Sequence, residues 1–447
     1  MERARDQDVR GRSQSEYDPI GIPMGSFRLY PRLGGSVEWN DNVFAEEDAN
    51  SPVEDWAFTV SGGARLASQW GRHELVLEGL VEDTTYADID QKVDPVWRLG
   101  AEGRLDIVRG FEAAGEGFYR VEYEPRGEND AIYLNPADPT DVIAALVDPI
   151  KFDAAGAYAR LSREFNRLRL TGRFDYEDRD YDDGILTGDA PDNTCNDDGN
   201  PLTDDLIFDQ DYRDRQASEA LGRADYAISP DTALFVAASQ RWNDYENDAP
   251  TLSAPCVEAD RDFDRTRAIV GVALDLTNLI RGEFGVGYAK ADFDNPRIDA
   301  DDVFTFTGSI DWFITQLTTV NLAANRDVLD SGDSVAPARI VTDVALRVDH
   351  ELLRNVILWA RGGWAEWEYE GPNAVDRNAD GDTTDVGDTA YERTDTATTA
   401  SFGCDWLVNR WAAVQARFVH LERDTDGLDG FRNFDQNRAT VGVIFRR

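Results

Sequence analysis

Residues 56–70, WAFTVSGGARLASQW, separate into two interleaved sets. Trp56, Phe58, Val60, Gly62, Ala64, Leu66 and Trp70 fall on one side, and Thr59, Ser61, Arg65 and Gln69 on the other. A repeat of two residues is that of an extended strand, whereas a helix would carry the same polar residues around its whole circumference. The pattern recurs in residues 303–314, where Phe304, Phe306, Ile310, Trp312 and Ile314 alternate with Thr305, Thr307, Ser309 and Asp311. It recurs again in 339–349, where Ile340, Val344, Leu346 and Val348 oppose Arg339, Asp343, Arg347 and Asp349.

These ribbons run for about 12 to 18 residues, against about 5 or 6 for a soluble strand and about 9 to 11 for a strand that crosses a bilayer. Very short turns fall at 71–72, 109–110, 165–166, 229–231, 277–278, 315–316, 354–355 and 409–410. Longer Asp-rich connections alternate with them, near 45–55, 88–94, 125–150, 182–212, 247–261, 295–301, 330–338, 371–389 and 425–433. Eight short and nine long connections require eighteen strands, the first near 28–44 and the last near 437–446. Short turns on one rim and long polar loops on the other are the asymmetry of an outer-membrane barrel, and an even strand count returns both ends of the chain to the short-turn side. The sequence therefore predicts an all-β fold: a single antiparallel up-and-down transmembrane β-barrel over 28–447, with short periplasmic turns and long acidic external loops. Residues 1–27 are expected to form a flexible periplasmic segment. A propeller would repeat every 40 to 45 residues with shorter strands. A sandwich would bury the charged faces at high cost.

The chain has 447 residues and a formal net charge of −42, which argues against a nucleic-acid partner. No run of 18 apolar residues occurs, so helical membrane spans are excluded while strands that alternate between lipid and lumen are not. The first residues, MERARDQDVRGRSQSEYDP, carry no apolar export segment, although an outer-membrane reading expects an export signal. Cys195, Cys256 and Cys404 have no zinc-type spacing; Cys195 and Cys256 lie in long polar segments, as a loop disulfide or as two free thiols.

The stretch 17–33, YDPIGIPMGSFRLYPRL, followed by WNDNVF at 39–44, resembles the start of the outer-membrane barrel family called putative beta-barrel porin 2, through Pro19, Gly21, Gly25, Phe27, Pro31, Asn42 and Phe44. That resemblance implies an outer-membrane protein of Gram-negative bacteria, with a role for some members in exopolysaccharide or capsule secretion. Barrels of this class usually end on an aromatic residue; here Phe445 stands two residues before the end.

Lumen-facing charge supplies the candidate site. Arg167, Arg169, Arg173 and Asp175 form a ladder on one ribbon, with Arg160 on the ribbon before it. On an earlier hairpin Arg98, Glu102 and Arg104 face Glu112, Glu116 and Arg120. Opposed charges set a transverse field that selects solutes, or simply solvate and brace a wide lumen. Asp376, Asn378, Asp380 and Asp382, with Gly381, match the first half of a calcium loop, but Gly387 stands where a bidentate Glu would be needed; the two readings are a weak calcium site in an external loop and a solvated Asp/Gly turn. Apart from calcium no cofactor is expected. His73, His350 and His420 have no partner at catalytic spacing, so an enzyme is not expected.

Two functions compete. One is a porin-like conduit for polar solutes or exported polysaccharide. The other is a docking protein whose acidic loops bind a partner, a surface glycan or calcium. Both place the chain in the outer membrane, with lipid and the barrel assembly machinery as partners, and the first adds components of polysaccharide secretion.

Overall fold

The computed structural model describes residues 8–47, 51–89, 93–127, 132–135, 138–146, 148–188, 207–208, 210–246, 249–251, 254–276, 279–299, 301–333, 336–371, 393–427 and 433–447. Eighteen strands form the wall. They are β1 Phe27–Asn40, β2 Asp55–Ser68, β3 His73–Tyr86, β4 Val96–Val108, β5 Phe111–Tyr123 and β6 Lys151–Phe165. Next come β7 Leu168–Tyr181, β8 Arg215–Ser229, β9 Thr232–Tyr245, β10 Phe263–Leu276, β11 Ile280–Phe293 and β12 Asp301–Thr315. The last six are β13 Thr318–Asp330, β14 Ala338–Leu353, β15 Val356–Glu370, β16 Arg393–Leu407, β17 Ala412–Gly427 and β18 Phe434–Arg446. Each pairs antiparallel with the next, and β1 closes on β18 from Arg32 opposite Arg446 to Asn40 opposite Arg438. Closure leaves no free edge in lipid, which is what a membrane demands of a sheet. No helix among the described residues is long and apolar enough to cross a membrane.

The wall is apolar outside and polar inside. Phe58, Val60, Leu234, Val270, Phe284 and Phe402 are among the large side chains left exposed, while Thr305, Asn243, Arg265 and Asp395 are buried. The alternation read from 56–70 and 303–314 is this division: lipid takes one face of each ribbon and the lumen the other. Glycines let bulky lumen residues lie flat. A Cβ on Gly271 would meet the Phe235 ring at 2.3 Å and one on Gly285 would meet it at 3.0 Å, so the ring occupies the space these two residues leave.

At the outer end the wall parts. Ladder pairing between β12 and β13 stops at Phe306 opposite Arg326, although β13 pairs with β14 as far as Asp330 opposite Ala338. Above that point Val328, Ala338 and Ile340 share one buried cluster with Phe263, Ala289, Ala291 and Val303. By alternation the first three belong to the outward set of β13 and β14, and the other four to the inward set of β10–β12. The tip of the β13–β14 hairpin therefore lies inside the barrel, its lipid-type face against the inner wall. The described residues of its connection, placed by sequence among the external loops, are tucked into the mouth, with Ser331, Asp333 and Ala336 buried. Burying apolar surface drives the tuck.

Residues 8–26, before β1, lie along the opposite, short-turn rim. Val9 is buried and its N–H donates to Thr319 Oγ1 at 3.2 Å. Arg10 bridges Asp349 on β14 and Asp405 on β16, both at 2.6 Å, and Arg12 donates to the Gln316 carbonyl. Arg410 and Arg446 then hold the carbonyls of Ser15 and Tyr17, and a short strand Ile22–Met24 folds back on β1.

Candidate functional site: the charged lumen

The ladder arginines Arg160, Arg169 and Arg173 are each set against a carboxylate. Arg169 bonds Glu164, with Nε at 3.0 Å, across the turn that joins β6 to β7. Arg173 donates to Asp175 at 2.8 and 2.9 Å and stacks 4.2 Å above the Tyr158 ring. Arg160 holds Glu112 at 2.8 Å, and Arg104 is shared among Asp106, Glu74 and Glu112 at 3.0, 3.6 and 3.7 Å. Arg98 bonds Glu122, while Arg120 reaches both Glu177 and Glu122. Glu102 and Glu116 stand opposite each other in register. Arg167 lies in the turn before β7 rather than on the strand, and is exposed.

Arg98, Arg120, Glu122 and Glu177 lie toward the long-loop end of the wall, and Arg104, Glu112, Arg160, Glu164 and Arg169 toward the short-turn end. A charged recess of about 640 Å³ there is lined by Arg72, Arg109, Glu112, Arg160, Glu164 and Arg169. Cation and carboxylate alternate around it, so the field is transverse and the net charge small. A larger groove of about 980 Å³ on the opposite face is lined by Leu161, Leu170, Val236, Val270 and Tyr288 and belongs to the lipid-facing surface.

The outer mouth holds the denser network. Arg265 binds Asp327 at 2.7 Å and Glu219 at 2.8 Å, and also donates to the carbonyl of Val328, just past the point where the wall parts. Arg393 joins Asp333 at 2.7 Å to Asp395 at 2.6 Å, and Asp395 also receives Arg423 at 2.5 Å and the Tyr369 hydroxyl at 2.9 Å. Arg261 donates to the Ser331 and Asp333 carbonyls. Arg215 on β8 and Arg241 on β9 reach Asp330 on β13, so these side chains span the interior between strands that are not neighbours. Buried carboxylates of this kind need hydrogen-bonded cations around them. The tucked hairpin is thus held by side chains where ladder bonds are missing.

The alternation in the sequence puts Arg339 on the polar side of its ribbon, and nothing in it singles out Asp330, Asp333 or Arg393. Arg339 now stands in this outer group, 5.3 Å from the Trp367 ring. Asp376, Asn378, Asp380, Asp382 and Cys195 lie outside the described residues, and of Cys256 only the backbone is described. His350 Nδ1 contacts Thr318 Oγ1 at 3.0 Å and His420 Nδ1 contacts Asn437 Oδ1 at 2.9 Å. Among the described residues no group of three or more His, Cys, Asp or Glu is placed to hold a metal ion.

A closed wall that turns its apolar side to lipid and its charges to a lumen defines a porin-like β-barrel of the bacterial outer membrane. The chain belongs to the family described as "Putative beta-barrel porin 2", whose profile matches residues 14–447. Among solved structures it is similar to OccAB3 of Acinetobacter baumannii, with 13% identity, 95% of this chain and 100% of that chain covered, and a TM-score of 0.42. OccK2 of Pseudomonas aeruginosa, in complex with glucuronate, gives 11% identity, 95% and 99% coverage and a TM-score of 0.45. OmpT of Vibrio cholerae gives 10%, 95%, 99% and 0.33. No curated protein matches the chain.

Proposed function

We propose that the protein is a passive, non-enzymatic conduit that lets small polar solutes cross the outer membrane. The observation that carries this reading is the polar, charged inner face, met along the whole wall from the Arg160–Glu112 recess at one rim to the Asp395 network at the other. Eighteen strands enclose more space than side chains alone fill. The hairpin tip at the outer mouth narrows that space, so the favoured cargo is a small solute rather than an extended exopolysaccharide. Water and ions would follow the paired charges, whose fixed dipoles replace part of the hydration shell. Outer-membrane lipid surrounds the wall, and the barrel assembly machinery is its route into the membrane.

Liposome swelling with neutral sugars of increasing length tests the reading. Rapid entry of mono- and disaccharides with exclusion of long dextrins is the expected result. Entry of long dextrins would favour polymer export, with the hairpin swung outward and polysaccharide secretion components as partners. No swelling with any sugar, and no conductance in a planar bilayer, would overturn the conduit and leave loop docking of a glycan, a partner or calcium.

A further inference from the structure

We propose that the outer constriction binds small oxyanions, the carboxylate or phosphate groups of a passing solute, with Arg339 against the face of Trp367 as the docking cation. The site deepens the conduit reading and depends on it for access from both sides of the membrane.

The charge around Asp330 is unbalanced. Four guanidiniums, those of Arg215, Arg241, Arg179 and Arg339, act electrostatically on the single carboxylate of Asp330. Arg179 has a carboxylate of its own, Glu177 at 2.6 Å. Arg215 and Arg241 ion-pair with Asp330. Arg339 is left over: among the described residues it makes no hydrogen bond and no ion pair, and its Nε and Nη1 are buried without an acceptor. Desolvated guanidinium N–H groups without partners are costly, and a native structure that keeps them points to a ligand or ion that completes the site.

The surroundings hold that guanidinium in place. Trp367 is flanked by Arg339 at 5.3 Å and Arg423 at 4.8 Å, and Arg423 is itself fixed by Asp395. Asp395 is already saturated by Arg393, Arg423 and Tyr369, so it is not available to neutralise Arg339. Stacking on an aromatic face leaves the edge of a guanidinium free, and that planar edge matches the oxygens of a carboxylate or phosphate. The result, among the described residues, is a guanidinium without a hydrogen-bonded counter-charge in the mouth of a protein whose net charge is −42. Arg160, Arg169 and Arg173 of the ladder lack this property because each is paired with a carboxylate.

Calorimetric titration of the detergent-folded barrel with acetate and, separately, with inorganic phosphate tests the site, with choline as the cationic control. Saturable millimolar binding of either anion, weakened at least tenfold in Arg339→Gln and largely kept in Arg339→Lys, is the expected result. Arg417→Gln, which removes a lumen arginine paired with Glu38 elsewhere on the wall, should bind like the parent. No saturable binding by the parent, or equal binding by Arg339→Gln, would overturn the proposal. Open-channel conductance recorded on the same preparations separates the two readings. A conducting pore without anion binding refutes the site alone, and anion binding to a barrel that never conducts refutes the conduit.

Discussion

Arg393 on β16 and Asp333 in the β13–β14 connection meet at 2.7 Å with side-chain exposures of 0% and 7%. One buried ion pair thus ties the tip of the tucked hairpin to a strand three places along the wall. Removing one partner strands the other charge, and for buried pairs that costs about 3–5 kcal/mol. Asp333→Ala is expected to loosen the tip without unmaking the barrel, because the ladders of β13 with β14 and of β16 with its neighbours are untouched. Single-channel recording should show larger and noisier conductance. An unchanged current trace would mean that the tip does not limit the pore.

The apolar side of the same contact gives a second expectation. Ile340→Ala removes buried volume from the cluster formed with Phe263 and Val328, a change that costs about 2–5 kcal/mol in a packed core. Its effect should mimic Asp333→Ala on conductance and be absent from the heat-modifiable gel shift. Loss of that gel shift would show that the cluster stabilises the wall and not only the tuck.

Outside, the sign of a substitution depends on which face carries it. Val270, at the middle of β10 and 58% exposed, faces lipid. Val270→Arg should destabilise insertion into vesicles by about 2–4 kcal/mol, the cost of a cation near the bilayer midplane. The neighbouring Ala237→Arg, on the lumen side, should leave insertion near the parent value and change selectivity instead. Equal costs at both positions would contradict the inside-out wall.

Asp214 supplies a pH dependence. Burial pushes its carboxyl up to about 7, Asp180, Asp211 and Glu246 add to the rise, and the Tyr181 N–H bond at 2.7 Å opposes it. Its folded value exceeds the unfolded one, so its contribution to stability is full below about pH 4 and is lost as pH climbs through 7. Urea unfolding followed between pH 5 and 8 should show stability falling with pH, and Asp214→Asn should flatten that slope. An identical slope in the variant would reject the assignment.

Much of the wall could be read from residues such as Trp56, Phe58 and Val60, because a period of two fixes which side of a ribbon meets which surroundings. It does not fix where the ribbon goes. Val328 and Ile340 carry the lipid-facing signature and yet are buried inside the mouth, because β13 leaves β12 above Phe306. The ladder was legible in part: Asp175 lies two residues from Arg173, within one strand, whereas the Arg120 partner Glu177 comes from a strand that the sequence does not place beside it. Arg339 looked like any other polar-face arginine, since the lack of a partner is a property of three dimensions. The contacts of Arg10 left no local signal either, because Asp349 and Asp405 lie more than 300 residues along the chain.

That last separation sets an order in time. The places where residues 9–17 rest are built from β13, β14, β16 and the end of β18, and β18 is also the strand whose arrival on β1 shuts the cylinder. Residues 9–17 are made before the strands they rest on and are therefore among the last parts to settle. Val9, hidden in the finished molecule, is a timestamp: a protease that reaches it is meeting a protein still under construction.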